Sequence, residues 1–318
     1  MSADKIFAPL IGQNQAVELL TQAVKQNRIA PAYLFVGADG VGRSLAAKCF
    51  VEQIFCALPI QQSQVQHRLQ LGNHPDLLWV EPTYLHQGQR LSATEAAAAG
   101  LKRKAPPQIR LEQIREITQF LSRPPLSAPR NVVVIEQAQT MAESAANALL
   151  KTLEEPGQAT LILIAPSTSL LPTLVSRCQS IPFYRLNLEA MTLVLQQAQA
   201  EILSQPQILA IAQGSPGEAI ASWQQLKDIP PELLQALQVP PKSLKDALET
   251  ARQIDKTLDS AAQLWLIDYL QHCYWQQFLS GAIRRSPLQQ LEQARKALLC
   301  YAQPRLVWEC TLLEMRQV

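Results

Sequence analysis

Eight consecutive residues constrain this chain more than any others: Gly37-Ala-Asp-Gly-Val-Gly-Arg-Ser44. They follow a short apolar run, Tyr33 to Val36, that reads as a buried strand. They precede Leu45, Cys49, Phe50, Ile54 and Phe55, which recur near helical spacing. Strand, glycine-rich turn and helix in that order open an α/β unit. Gly37 and Gly42 are spaced as in loops whose backbone N–H groups turn toward a phosphate at a helix N-terminus, with Gly40 between them. Where such a loop usually carries lysine, this one has Arg43. The charge is kept, but a planar guanidinium is bulkier in a tight turn. Ser44 retains a hydroxyl able to meet Mg²⁺. A glycine turn without any ligand fits the same residues, and both readings stay open. Ser44 is not read as a nucleophile, because an elbow serine sits at the very end of its strand and this strand ends at Gly37.

Further buried strands are expected at Asp76 to Val80, at Asn131 to Ile135 and at Leu161 to Ala165, where runs of apolar and β-branched residues suit a parallel sheet. Helical spacing of Leu111, Ile114, Ile117, Thr118 and Leu121 falls between two of them. Thr140-Met-Ala-Glu143 has the form of a capping box opening a helix through Leu153, stopped by Pro156-Gly157. Strands alternating with helices predict α/β architecture with a doubly wound parallel sheet. Residues 83–108 break the pattern with a polar stretch, four alanines, Lys102-Arg103-Lys104 and two prolines, and are expected to form a mobile surface insertion. The basic triplet reads as a solvated loop rather than a DNA contact, and no aromatic residue interleaves it.

After Pro182 strand signals cease. The expected parts are an α/β domain at 1–185, a small helical lid at 186–226 and an all-helical domain at 227–318. In the last of these Leu264, Ile267, Leu270, Tyr274 and Phe278 form a stripe widened by Trp265, Tyr269 and Cys273. With 47% of 318 residues hydrophobic and 17% charged, the chain has material for real cores, so global disorder is excluded. Lysine and arginine total 28 against 26 acids, a net +2, so any basic surface must be local. No apolar run reaches the length of a membrane span, and Met1 to Pro9 lack the apolar core of a secretory signal, so a cytoplasmic location without membrane contact is expected. The six cysteines are scattered and read as reduced thiols. Cys49, Cys56, His67 and His74 are spaced unlike a closed zinc site, and no metal centre is expected.

The strand Asn131 to Ile135 ends in Glu136-Gln137. A working phosphate loop needs a carboxylate there for Mg²⁺ and a base for the attacking water. Glu136 is one methylene longer than aspartate, and Gln137, a neutral amide, accepts no proton. Loss of a positioned base costs about 10²–10⁴ in rate. The pocket is therefore read as a degenerate nucleotide site of Gly37, Gly40, Gly42, Arg43, Ser44 and Glu136, with no certain cofactor. Weak ATP–Mg binding without hydrolysis stays open.

Several segments together resemble the clamp-loader branch of the AAA+ ATPases: Leu10-Ile-Gly-Gln13, Arg28-Ile-Ala-Pro-Ala-Tyr-Leu-Phe35, the glycine loop, Asn73-His-Pro-Asp76, Asn147-Ala-Leu-Leu-Lys-Thr-Leu-Glu-Glu-Pro156 and Ser176-Arg177-Cys178. Their order covers roughly the first 220 residues. Motor subunits of the gamma/tau type are similar but keep the lysine, an Asp-Glu pair and a sensor arginine, where this chain has Gly217. The first sensor position falls near Pro166 or Ser167. The resemblance implies a P-loop AAA+ domain, a helical lid and a helical collar that oligomerises. It implies a non-motor subunit in a DNA polymerase, that is nucleotidyltransferase, complex that loads a sliding clamp onto primed DNA during replication. Its partners would be gamma/tau and delta subunits in a hetero-pentameric ring. It further implies that Arg177, with Ser176 beside it, is catalytic in trans as an arginine finger in a neighbour's ATP site. Such a finger can be worth about 10³–10⁵ in rate. The alternative for Arg177 is a plain interface ion pair. The alternatives for the chain are an active gamma/tau-type ATPase and a purely structural adaptor.

Overall fold

A computed structural model describes residues 3–56, 62–98, 106–155, 157–168, 170–283 and 285–316. Two compact units divide the chain, 1–190 and 191–318.

The first unit is built on a five-stranded parallel sheet. Its strands are β1 (Ala32–Val36), β2 (Leu77–Val80), β5 (Asn131–Ile135), β6 (Ala159–Ala165) and β7 (Gln179–Pro182), in the order β2-β5-β6-β1-β7. Every residue of β5 and β6 is buried, which is why both read as unbroken apolar runs: helices cover both faces. Ala32 and Leu34 of β1 face one side, with Val133, Ile135, Leu161 and Leu163. Against them pack Ile114 and Ile117 of one helix (Leu111–Leu121) and Ala145, Leu149 and Leu153 of another (Glu143–Glu154). Tyr33 and Phe35 face the other side, where Phe50 stands edge-on to Tyr33 at 5.1 Å and Phe183 lies 5.2 Å from Phe35. Phe50 belongs to the helix Arg43–Phe55 that follows the glycine loop.

The structure overturns one local expectation, the capping box, and adds two elements that the sequence did not announce. Strand β7 had no sequence signal: only Ile181 of its four residues is buried, and an edge strand can end in proline because its outer side needs no ladder bond. The capping box at Thr140 is not made. The helix begins at Glu143 with Ala142 as N-cap, and Thr140 sits in a 3₁₀ turn where its hydroxyl donates to the Gln137 carbonyl at 2.8 Å. The described part of the insertion is folded. Thr83 pairs with Gln108 at its base, and β3 (Tyr84–His86) with β4 (Gln89–Leu91) forms a hairpin. The hairpin turns on Gln87 and Gly88, both at positive φ as a two-residue type I′ loop requires. Arg90 anchors it by an ion pair to Glu116 on the helix Leu111–Leu121. Lys102, Arg103 and Lys104 lie outside the described residues.

The second unit shows no strand among its described residues. Its core runs from Ile229 and Leu233 through Ala251, Ile254, Leu266, Ile267 and Leu270 to Trp308 and Leu312. The helix Ser260–Leu279 is the longest described, capped by the Asp259 carboxylate on the Ala262 N–H at 2.8 Å. Its buried face is Gln263, Leu266, Ile267, Leu270 and Tyr274. The expected stripe is thus shifted: Leu264, Trp265 and Tyr269 are only partly buried, and Phe278 is exposed beside Trp275. Two of the buried polar tips are satisfied within this core. The Trp308 indole donates to Gln263 at 2.9 Å, and the Tyr274 hydroxyl donates to the Leu237 carbonyl at 2.7 Å. No helix among the described residues is long and apolar enough to cross a membrane.

Candidate functional site

The glycine loop leaves the carboxyl end of β1. Each of its outer glycines is fixed by packing. A Cβ on Gly37 would lie 2.3 Å from the carbonyl oxygen of Phe183, which follows β7. Gly42 is the N-cap of the next helix at φ 100°, and a Cβ there would meet Leu10 at 2.8 Å. Gly40 also has positive φ, at 73°. Gln13 ties the loop to the rest of the sheet. Its amide donates to the Val41 carbonyl at 3.2 Å and to the Tyr184 carbonyl at 2.6 Å, and its oxygen accepts from the Tyr184 N–H at 3.1 Å. The Leu10–Gln13 segment thus acts as a staple.

Arg43 is 7% exposed and forms an ion pair with Asp39, four residues earlier in the loop itself. Its Nη1 is buried with no partner among the described residues. Ser44 and Glu136 are brought together: the Ser44 hydroxyl hydrogen-bonds the half-buried Glu136 carboxylate. Burial, with Glu81 nearby, pushes the Glu136 carboxyl above its ordinary range, against the pull of the Ser44 bond, Arg43 and Lys48. Gln137 is exposed and adopts a left-handed conformation at φ 47°. Chemically the pocket holds three carboxylates (Asp39, Glu81, Glu136) and two cations, with its deepest cation already paired.

Arg177 lies elsewhere. It follows a short helix (Pro172–Val175) and precedes the amino end of β7. Tyr33 pairs with Gln179 and Val36 with Pro182, so β7 runs parallel to β1. Arg177 is therefore at the opposite end of the sheet from the glycine loop, at least about 10 Å of strand away. Its side chain is 39% exposed. Nη2 donates to Glu154 Oε1 at 2.9 Å and Nη1 to the Thr173 carbonyl at 3.0 Å. The Ser176 hydroxyl donates to the same Thr173 carbonyl at 3.1 Å. Cys178 packs against the sheet core, and burial pushes its thiol up to about 11.

Asp76, buried at the amino end of β2, accepts from the N–H groups of Leu126, Ser127 and Ala128 at 2.6, 2.8 and 2.7 Å, and from the Ser127 hydroxyl at 3.0 Å. Burial raises its pKa, but these donors outweigh that and hold the carboxyl below its usual range. The His74 ring lies against Phe55, tilted by 32° with centroids 4.4 Å apart, and burial lowers its pKa. Asp76 therefore pins the 126–128 loop at the amino end of β2. The described residues contain no cluster of three or more metal-ligating side chains.

Two family models divide the chain between them. The model for "DNA polymerase III, delta subunit" matches residues 12–187, and that for "Cyanobacterial DNA polymerase III delta prime, C-terminal domain" matches 189–315. The DNA polymerase III subunit delta' of Bacillus subtilis is 32% identical over 184 residues, 56% of this chain and 49% of that protein. The subunit delta' of Pseudomonas aeruginosa is 33% identical over 198 residues, 59% of this chain and 54% of that protein. The chain thus spans about half the length of these relatives. A crystal structure of a DNA polymerase III gamma-subunit-related protein from Thermotoga maritima shares the fold, with a TM-score of 0.51 at 17% identity over 95% of this chain and 99% of that one.

Proposed function

Because this chain belongs to the DNA polymerase III delta-subunit family, we propose that it works as a non-motor, delta-prime-type clamp-loader subunit. In this reading it turns over no ATP of its own and lends Arg177 to the nucleotide site of a neighbouring subunit. The carrying observation is the position of Arg177: it is exposed, and it stands at the end of the sheet opposite its own glycine loop. An arginine there has no route to its own loop, but it is open to another subunit. Guanidinium suits the task, being always charged and matched in its donor fork to phosphate oxygens. Ser176 supports the turn that carries Arg177 through its bond to Thr173.

The other half of the reading rests on the glycine loop. In this reading Gly37, Gly40, Gly42, Arg43, Ser44 and Glu136 are the remains of a nucleotide site, and Asp39 supplies the anion that Arg43 would otherwise take from a nucleotide. A neutral Gln137 follows Glu136 in place of a base. This favours a subunit without turnover over a gamma/tau-type ATPase. The partners in this reading are gamma/tau and delta subunits in a hetero-pentameric ring, acting in the cytoplasm on a sliding clamp and primed DNA. We assign residues 186–226 to a lid and 227–318 to the collar of that ring.

The test is reconstitution with gamma/tau-type motor subunits. Arg177→Ala should leave assembly intact and lower ATP turnover at the site facing this chain by about 10³ or more. Unchanged turnover would refute the finger and leave a structural adaptor. The isolated chain should release no phosphate from ATP–Mg. Steady release would restore the ATPase reading.

A further inference from the structure

We propose that Glu154 is the positioning residue that holds Arg177 ready for a phosphate supplied by the neighbouring subunit. The inference rests on the trans-acting reading above and extends it to a second residue. Arginine carries much side-chain rotamer entropy, which a flexible finger must give up in the partner's site. Here that ordering is done before any partner arrives. Glu154, the last residue of the helix Glu143–Glu154, takes Nη2 at 2.9 Å, and the Thr173 carbonyl takes Nη1 at 3.0 Å. Two acceptors from two different segments fix both the position and the plane of the guanidinium. Of its five N–H donors, two are engaged in this way; among the described residues no partner is shown for Nε. The side chain stays 39% exposed while held. A guanidinium gripped from its own chain and open on the remaining donors is preorganised for an incoming oxyanion.

The carboxylate also makes chemical sense where a neutral acceptor would be weaker. A charge-assisted bond is roughly twice as strong as a neutral one, so it holds the plane against rotation. Because the pair is part exposed, its hold is modest, and its effect on rate should be a few-fold rather than the whole contribution of the finger.

The experiment uses the complex reconstituted with gamma/tau-type motor subunits, with Arg177→Ala as the reference. Glu154→Ala should lower kcat for ATP about threefold to tenfold at unchanged KM and unchanged assembly. Glu154→Gln, which keeps an acceptor but loses the charge, should fall between wild type and Glu154→Ala. Glu155→Gln, the same charge change one residue along, should leave turnover at the wild-type level. In the Arg177→Ala background, Glu154→Ala should add no further loss, which a general structural defect would not reproduce. If Arg177→Ala is itself silent, the trans-acting reading falls. If Arg177→Ala is damaging but Glu154→Ala leaves kcat unchanged or raises it, the positioning role is overturned. A rise would mean that the carboxylate parks the guanidinium instead of presenting it.

Discussion

The two ends of the parallel sheet make opposite use of an arginine. At the carboxyl end Arg43 is buried and neutralised by Asp39 from the same loop, within a set of carboxylates. At the amino end Arg177 is also paired, with Glu154, yet stays exposed. Burial separates the two cases. Breaking a buried pair leaves a charge with no solvent to turn to, whereas an exposed pair is worth at most about 1 kcal/mol and leaves the remaining donors of its guanidinium open to a second anion. In the reading proposed above, the first arginine is held by its own loop and the second stays open to a partner.

The largest expected effect tests whether the loop glycines at the carboxyl end serve packing rather than a ligand. A Cβ at position 37 would collide with the Phe183 backbone, and backbone cannot rotate away as a side chain can. Gly37→Ala should lower unfolding stability in urea by about 3 kcal/mol or more with no nucleotide present. Arg177→Ala at the other end should leave the midpoint within about 0.5 kcal/mol of wild type. A Gly37→Ala chain as stable as wild type would mean that the glycine is kept for a bound group, and the contrast between the ends would break.

Much of this was legible before the structure. The strands at 131–135 and in the 159–165 region are readable because both faces are buried, so hydrophobicity alone marks them. Strand β7 is not, since only one residue of four is buried and its pairing with β1 joins positions far apart in sequence. The hairpin turn Gln87-Gly88 lacks the asparagine or aspartate that usually announces a type I′ turn. On the long helix Ser260–Leu279 thirteen of the twenty positions, Cys273 included, are apolar or aromatic and they fall on every side, so the pattern could not choose which face turns inward. In the site, the glycine loop and the Ser-Arg-Cys segment were readable as motifs. Their partners were less so. Asp39 stands at helical spacing from Arg43, but nothing in the sequence says that the two bond. Glu154 meets Arg177 across 23 residues, and Gln13 meets Tyr184 across 171. Such contacts are set by topology, which a motif does not encode.

A smaller effect sharpens the comparison from within the loop. Asp39→Ala would leave the Arg43 guanidinium buried without its carboxylate, at a cost of about 1–2 kcal/mol given that Asp39 itself is partly open to solvent. The variant should therefore melt below wild type in plain buffer. It should regain stability on addition of inorganic pyrophosphate, since an anion bound only to the folded chain stabilises it by mass action. Wild type should respond less, because Asp39 already holds Nη2 of its guanidinium and only Nη1 is left without a partner among the described residues. Equal stabilisation of both chains by pyrophosphate would show an open phosphate site in the native loop and erase the distinction between the two ends.

The smallest effect is the pH response of Glu136. Its carboxyl has a folded pKa above its unfolded one, through burial first and Glu81 second, despite the Ser44 bond and the nearby Arg43 and Lys48. Such a group takes up a proton on folding. Its contribution is most favourable below the unfolded pKa, about 4.3, and is lost as pH rises through the folded value. Glu136→Gln removes that titration while keeping an acceptor for the Ser44 hydroxyl. The variant should match wild type near pH 4 and exceed it above the folded pKa by less than about 1 kcal/mol, the site being only half buried. Urea midpoints across that range would measure the difference. A carboxylate kept for Mg²⁺ would behave in the opposite sense, with ATP–Mg stabilising wild type increasingly as pH rises and Glu136→Gln losing that gain. If ATP–Mg leaves the wild-type profile unmoved, Glu136 holds no Mg²⁺ at this end of the sheet, and its raised pKa reflects burial first.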